Sequence, residues 1–132
     1  MVLYITSVLL RITPDHPEPI YAQLVRQIRR AIVAHEVLPG EKIPSHRELA
    51  QQLVINHLTV KRAFDELEAV GLLTTRRGMG TYVADPLPAE LAAEARAEVV
   101  AELSRSAAAA LAAGLSRAAW LDLARSVWKE RP

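Results

Sequence analysis

The chain has 132 residues, enough for one ordinary domain or one small domain with a helical appendage, and an enzyme with its own cofactor fold would be cramped. It holds no cysteine, which removes disulfides, thiolate chemistry and cysteine-based metal sites and suits a reducing cytosol. Net charge is only +1, so any affinity for nucleic acid must come from where the cations sit rather than from their number.

The apolar opening Met1–Leu10 lacks a basic leader and a small-residue cleavage site. It is far shorter than the roughly 20 residues that cross a bilayer, so a soluble protein without membrane contact is expected. Val8–Ile12 reads as a short strand and Thr13–Pro17 as a turn. Ile20, Leu24, Ile28 and Ile32 then recur every four residues, predicting a helix from about Glu18 to Ala34 with one apolar stripe.

After the Pro39-Gly40 loop, Ser45 stands three residues before Glu48, the spacing of a capping box in which each side chain satisfies a backbone N–H of the other. A helix therefore starts at His46, and Leu49, Ala50 and Leu53 give it one buried face. Val54-Ile55-Asn56 interrupts the pattern. Asn56 is placed to cap a second helix whose Val60, Ala63, Phe64, Leu67 and Val70 keep the helical period, with Gly71 in the C′ position. Leu72–Arg77 and Thr81–Ala84 have strand composition, and Gly78-Met79-Gly80 supplies the hairpin tip. This order of helix, turn, helix and hairpin is that of a winged helix-turn-helix. Arg47, Lys61, Arg62, Arg76 and Arg77 fall on segments that converge on one surface, whereas Glu66 and Glu68 lie toward the C-terminal half of the second helix.

Asp85-Pro86-Leu87-Pro88 breaks the structure, and composition shifts to alanine and glutamate, so a boundary is expected there, with a head over 8–85 and a tail over 86–131. In Ala89–Ala113, Leu91, Ala95, Val99, Leu103, Ala107 and Leu111 line one face of a helix of about 25 residues. Gly114 stops it. Ser116 caps another helix carrying Trp120, Leu123 and Val127, with Leu121, Ala124 and Trp128 widening the apolar face. Two helices cannot bury stripes this wide on each other, and a second copy is the simplest partner. Leu91, Val99, Leu103, Leu111, Trp120, Leu123 and Val127 are the residues expected to form that homodimer.

The stretch LPGEKIPSHRELAQQLVINHLTVKRAFDELEAVGLLTTRRGMGTYV resembles the DNA-binding head of the GntR family of bacterial transcription regulators. The match runs through Pro39, Gly40, Pro44, Ser45, Arg47, Leu49, Ala50, Thr59, Val60, Ala63, Leu67, Gly71, Leu72, Gly78, Gly80, Thr81 and Val83, and Pro19-Ile20-Tyr21 is similar to the family's approach to its first helix. The small helical tail looks like that of the YtrA subfamily. The fold the resemblance implies is mainly α with a small β-hairpin wing, followed by a two-helix dimerisation tail. Met1–Ser7 has no counterpart in that pattern, and both an extra strand and a disordered extension fit it.

The resemblance further implies a cytoplasmic bacterial repressor that binds double-stranded DNA as a homodimer on an inverted repeat, with neither catalysis nor cofactor. Arg47 matches the family arginine that approaches the DNA backbone, and its guanidinium suits a phosphate fork. Thr59 and Lys61 match the recognition helix, and His57 stands early on that helix, where many members carry arginine or another polar residue. Gly80 matches a glycine whose missing side chain lets the wing approach DNA. Ser45, His46, Asn56, Arg62, Arg76, Arg77 and Gly78 complete the expected contact set. The histidines at 16, 35, 46 and 57 lack the spacing of a metal motif, so no metal site is expected. Trp120 and Trp128 are read as core anchors. A rival from another class is a winged module that binds protein rather than DNA, and an enzymatic reading requires a fragment of the family's aminotransferase-fused members. About forty tail residues leave little room for a metabolite pocket of about 300–1,000 Å³, so no dedicated effector domain is expected, and any effector would have to act at the dimer interface or near Asp85–Leu87.

Overall fold

The computed structural model describes residues 2–5 and 8–130, with the backbone alone over 2–5. Among the described residues, five helices and two antiparallel sheets, one two-stranded and one three-stranded, form two compact units, residues 1–95 and 96–132. In the first, β1 (Val2–Ile5) pairs antiparallel with β2 (Val8–Arg11), with Val2 opposite Arg11 and Ile5 opposite Val8. Of the two readings left open for the N-terminus, the strand is the one found. Thr6 and Ser7 lie outside the described residues.

Helix α1 (Ile20–Val33) buries Leu24, Ile28 and Ile32, the stripe its four-residue spacing predicts. It starts two residues later than the sequence reading because Pro19 stands at the N-cap with ψ of 150°, an extended conformation. In α2 (His46–Leu53) the Ser45 hydroxyl accepts a hydrogen bond from the Glu48 N–H at 3.1 Å. The other half of the expected capping box does not form: among the described residues Glu48 returns no bond to the Ser45 N–H. Asn56 caps α3 (His57–Ala69) by accepting from the Leu58 N–H at 2.9 Å. Val60, Ala63, Phe64 and Leu67 of α3 are buried with Leu49, Ala50 and Leu53 of α2 and with the α1 stripe in one core. Val70, expected on that buried face, is instead the C-cap and is 55% exposed, because the helix has already ended beneath it.

The wing has three strands rather than two. β4 (Leu73–Arg76) and β5 (Gly80–Val83) form the expected hairpin, and β3 (Lys42–Ile43) adds to the other edge of β5 with Lys42 opposite Tyr82. Two residues are too short to display an alternating pattern, so β3 leaves no sequence signature. The Thr75 hydroxyl donates to the Glu68 carboxylate, tying the wing to α3.

Helix α4 runs Ala89–Ala112. Leu91 is 4% exposed and, with Ala95, packs into the core of the first unit. Its place among the dimer-forming residues is therefore corrected: it is a core residue of the head. In the second unit Gly114 takes φ of 76° and the Ser116 hydroxyl caps α5 (Arg117–Lys129) by accepting from the Ala119 N–H. Trp120 Nε1 donates to the Ser106 hydroxyl at 2.9 Å, joining α4 to α5. Val99, Leu103, Leu111, Leu123, Val127 and Trp128 are all exposed, so within one chain Trp128 anchors no core. Arg131 lies outside the described residues.

The α2–α3 turn bends through Val54, whose φ of 54° is left-handed. A β-branched side chain is disfavoured there by roughly 1–2 kcal/mol, and at 77% exposure Val54 recovers little by packing. Val54→Asn should therefore stabilise the fold by about 1 kcal/mol, read as a higher midpoint in thermal or urea unfolding. A lower midpoint would show that the valine makes a contact worth more than its strain.

Candidate nucleic-acid interface

The two caps set the geometry of this face. Ser45 starts α2 at His46, left-handed Val54 ends it at Leu53 and Asn56 restarts the helix at His57, which leaves the His46 and His57 ring centroids 6.4 Å apart. Arg47, Ala50, Val54, Asn56, His57 and Leu58 line an open concavity of about 790 Å³ between the two helices. Arg47 is exposed and makes no ion pair among the described residues, which leaves its guanidinium available at a helix N-terminus where backbone N–H groups also favour anions.

Burial of α3's Val60, Ala63, Phe64 and Leu67 turns Leu58, Lys61, Arg62 and Asp65 outward, and these four line a second open depression on the helix surface. Thr59 stands about 160° around the axis from Lys61 and is half-buried, so the two expected recognition residues do not share a face. Leu58, between them in sequence, is 59% exposed. Its apolar tip is of the kind that reads a thymine methyl group. Residue type alone does not mark it, since an apolar residue on an amphipathic helix is assigned to the core by default.

The cations differ in how free they are. Lys61 pairs with Asp65 at 2.8 Å, and Arg62 lies 3.6 Å above the Tyr21 ring of α1 and 3.9 Å from Glu66. Exposed pairs of this kind are worth about 0–1 kcal/mol, so a phosphate can displace them at little cost. On the wing Arg76 stacks on Tyr82 at 4.5 Å, while Arg77 is exposed and makes no ion pair among the described residues. Gly78 and Gly80 form the tip with φ of 76° and 117°. A Cβ on Gly80 would meet Lys42 Cε at 2.9 Å, so the glycine admits the lysine chain against the wing. Lys42 is thus a further cation of this surface, absent from the expected set because it precedes the capped helix in what reads as loop. Among the described residues no group of three or more His, Asp or Glu side chains is placed to hold a metal, and no helix is long and apolar enough to cross a membrane.

The gntR family of bacterial regulatory proteins matches residues 20–83. The HTH-type transcriptional regulator Rv1152 of Mycobacterium tuberculosis (strain ATCC 25618 / H37Rv) is 36% identical over 92 residues, 68% of this chain and 76% of that protein. The chain belongs to the gntR family. The transcriptional repressor YtrA of Bacillus subtilis is 39% identical over 77 residues, 58% of this chain, and the match spans about three fifths of that repressor's length. Two solved structures share the architecture. YtrA from Sulfolobus acidocaldarius, a GntR-family transcription factor, has a TM-score of 0.54 at 29% identity over 91% of this chain and 97% of that one. The DNA-binding domain of AraR in complex with operator ORX1 has a TM-score of 0.51 at 35% identity, over 57% of this chain and 96% of that one.

Partial burial pushes the His46 imidazole below the ordinary histidine range; the charges of Arg47, Lys61 and His57 add to this, and Asp65 opposes it. The unfolded chain therefore holds this proton more tightly than the folded one. Stability from His46 is complete above its ordinary value of about 6.5 and is lost as pH falls through the lower folded value. The unfolding midpoint should drop as pH is lowered from about 7 toward 5, and His46→Gln should make that decline shallower. An unchanged profile in the variant would assign the decline to other groups.

Proposed function

We propose that this chain is a sequence-specific DNA-binding transcriptional repressor, without enzymatic activity, that lays α3 in the major groove with the wing beside it. The observation that carries the reading is the pair of capped helices presenting Arg47, Asn56, His57 and Leu58 around one open concavity. Helices of this spacing place base-reading side chains near the N-terminal half of the second helix. Family membership and the operator-bound AraR domain support the same use of the face.

Division of labour follows from geometry. Arg47, Lys42 and Arg77 are phosphate-directed, whereas His57, Leu58 and Lys61 point where base edges lie. DNA selected from a random duplex pool by the purified chain gives the operator. On that duplex Arg47→Ala should weaken binding to every sequence and reduce the log–log salt slope by about 0.9. Leu58→Ala should instead relax preference at a thymine, by about 1–3 kcal/mol at most, with the salt slope intact. Equal losses on all sequences from both substitutions would reject the division, and salt-insensitive binding would reject DNA as the partner.

The reading includes a homodimer on an inverted repeat. Leu103, Leu115, Trp120, Leu123 and Val127 line an apolar groove of about 480 Å³ along α4 and α5, and a second copy covering it would bury what one chain leaves in water. Val99 and Leu111, expected in the same interface, lie outside that groove. Leu123→Glu should yield a monomer in sedimentation, because the carboxylate would be buried unpaired. It should also weaken binding to a full inverted repeat far more than to a half-site. A variant that still sediments as a dimer would place the interface elsewhere.

A further inference from the structure

On the first unit a cavity of about 600 Å³ opens between β2, the following loop and α1, well within the range of small-molecule sites. Gln23, Arg26, Gln27 and Arg30 stand at i, i+3, i+4 and i+7 along α1 and so form one wall, with Arg11 and His16 opposite. This wall is turned from the surface that α3 presents. Arg30 follows Tyr21 by nine residues, about two and a half turns, so it projects to the side of α1 opposite the ring that lies beneath Arg62.

Two glutamines make the cavity rigid. The Gln27 amide accepts from the Arg11 N–H and donates to the Arg11 carbonyl, both at 2.7 Å, acting as an extra strand rung for β2. Gln23, 2% exposed, accepts from the Thr13 N–H and donates to the Thr13 and Glu18 carbonyls at 2.8–2.9 Å, which fixes the loop to α1. The loop backbone therefore needs no reordering to receive a ligand.

The charge on the wall is uneven. Arg26 is neutralised by Glu18 at 3.0 Å. Arg11 and Arg30 have no acidic partner among the described residues. His16 accepts from the Glu18 N–H through Nδ1, so its neutral ring carries hydrogen on Nε2 as a donor. Leu9 and Ala31 supply an apolar patch on the same lining. We propose that this cavity binds a small molecule with one oxyanion group, a phosphate or carboxylate, held by Arg11 and Arg30 with its short uncharged body against Leu9 and Ala31. The site lies in the head, not at the dimer interface or near Asp85–Leu87 where an effector is expected from sequence. Its occupancy does not depend on DNA binding.

The test uses the full chain without DNA, titrated with inorganic phosphate and with glycerol 3-phosphate at constant ionic strength, followed by calorimetry and by backbone amide resonances. Saturable binding is expected, with shifts at Arg11, Gln27 and Arg30. Arg11→Gln and Arg30→Gln should each weaken it at least tenfold while circular dichroism stays unchanged, and Arg125→Gln on α5 should leave it unaltered. Non-saturable shifts, or equal affinity in the Arg11 and Arg30 variants, overturn the proposal. So does a short random duplex that moves the same amides when neither phosphate compound saturates, since the cavity would then be a track for nucleic-acid backbone.

Discussion

Burial of one face of α3 is the constraint on which the rest of the head depends. Val60, Ala63, Phe64 and Leu67 are 0–4% exposed against α1 and α2, and a helix with four side chains so committed cannot rotate about its axis. Everything its opposite face presents is fixed by that choice. A roll of one residue position, about 100°, would bury Lys61 and expose Ala63 and Leu67, so the outward set of Leu58, Lys61, Arg62 and Asp65 is a by-product of core packing. The caps serve the same end by fixing where α3 begins, and the bond from Thr75 to Glu68 hangs the wing from the same helix.

Most of this architecture is legible in the chain because the signals are local. Ser45 and Asn56 announce helix starts through side-chain oxygens that act within three residues, and Gly71 announces an end through a φ of 80°. Four-residue spacing in α1 reports its buried stripe for the same reason. What escapes the sequence is non-local. β3 is two residues whose only reason for being a strand is the far edge of β5. Leu91 continues an unbroken periodic stripe with Val99 and Leu103, and periodicity cannot say that its first members meet one partner and its later members another.

The site was legible in outline and not in detail. Arg47, Arg77 and the wing glycines stand where the pattern puts them, whereas Thr59 and Lys61 diverge around the helix and Arg62 leans on Tyr21. Residue type gives charge, but the direction of a side chain depends on which neighbours are buried. Leu58 illustrates the converse: hydrophobicity at an outward position is invisible to a rule that equates apolar with core. The α1 cavity follows the same logic, since Arg11 and Arg30 are distant in sequence and come to line one cavity where Gln27 ties β2 to the helix.

The short strand β3 has a mechanical consequence. From Lys42 the chain passes through Ile43 and Pro44 directly into the Ser45 cap, so the wing's outer edge and the first turn of α2 are joined by a single extended run with no slack. The Lys42 chain lies against the tip glycine at one end of that run and Arg47 stands at the other. In the proposed binding mode these two cations are therefore held like the fixed jaws of a caliper. Such a gauge would measure groove width without first having to close, and on that mode a duplex whose grooves are too wide or too narrow would be rejected by shape before any base is read.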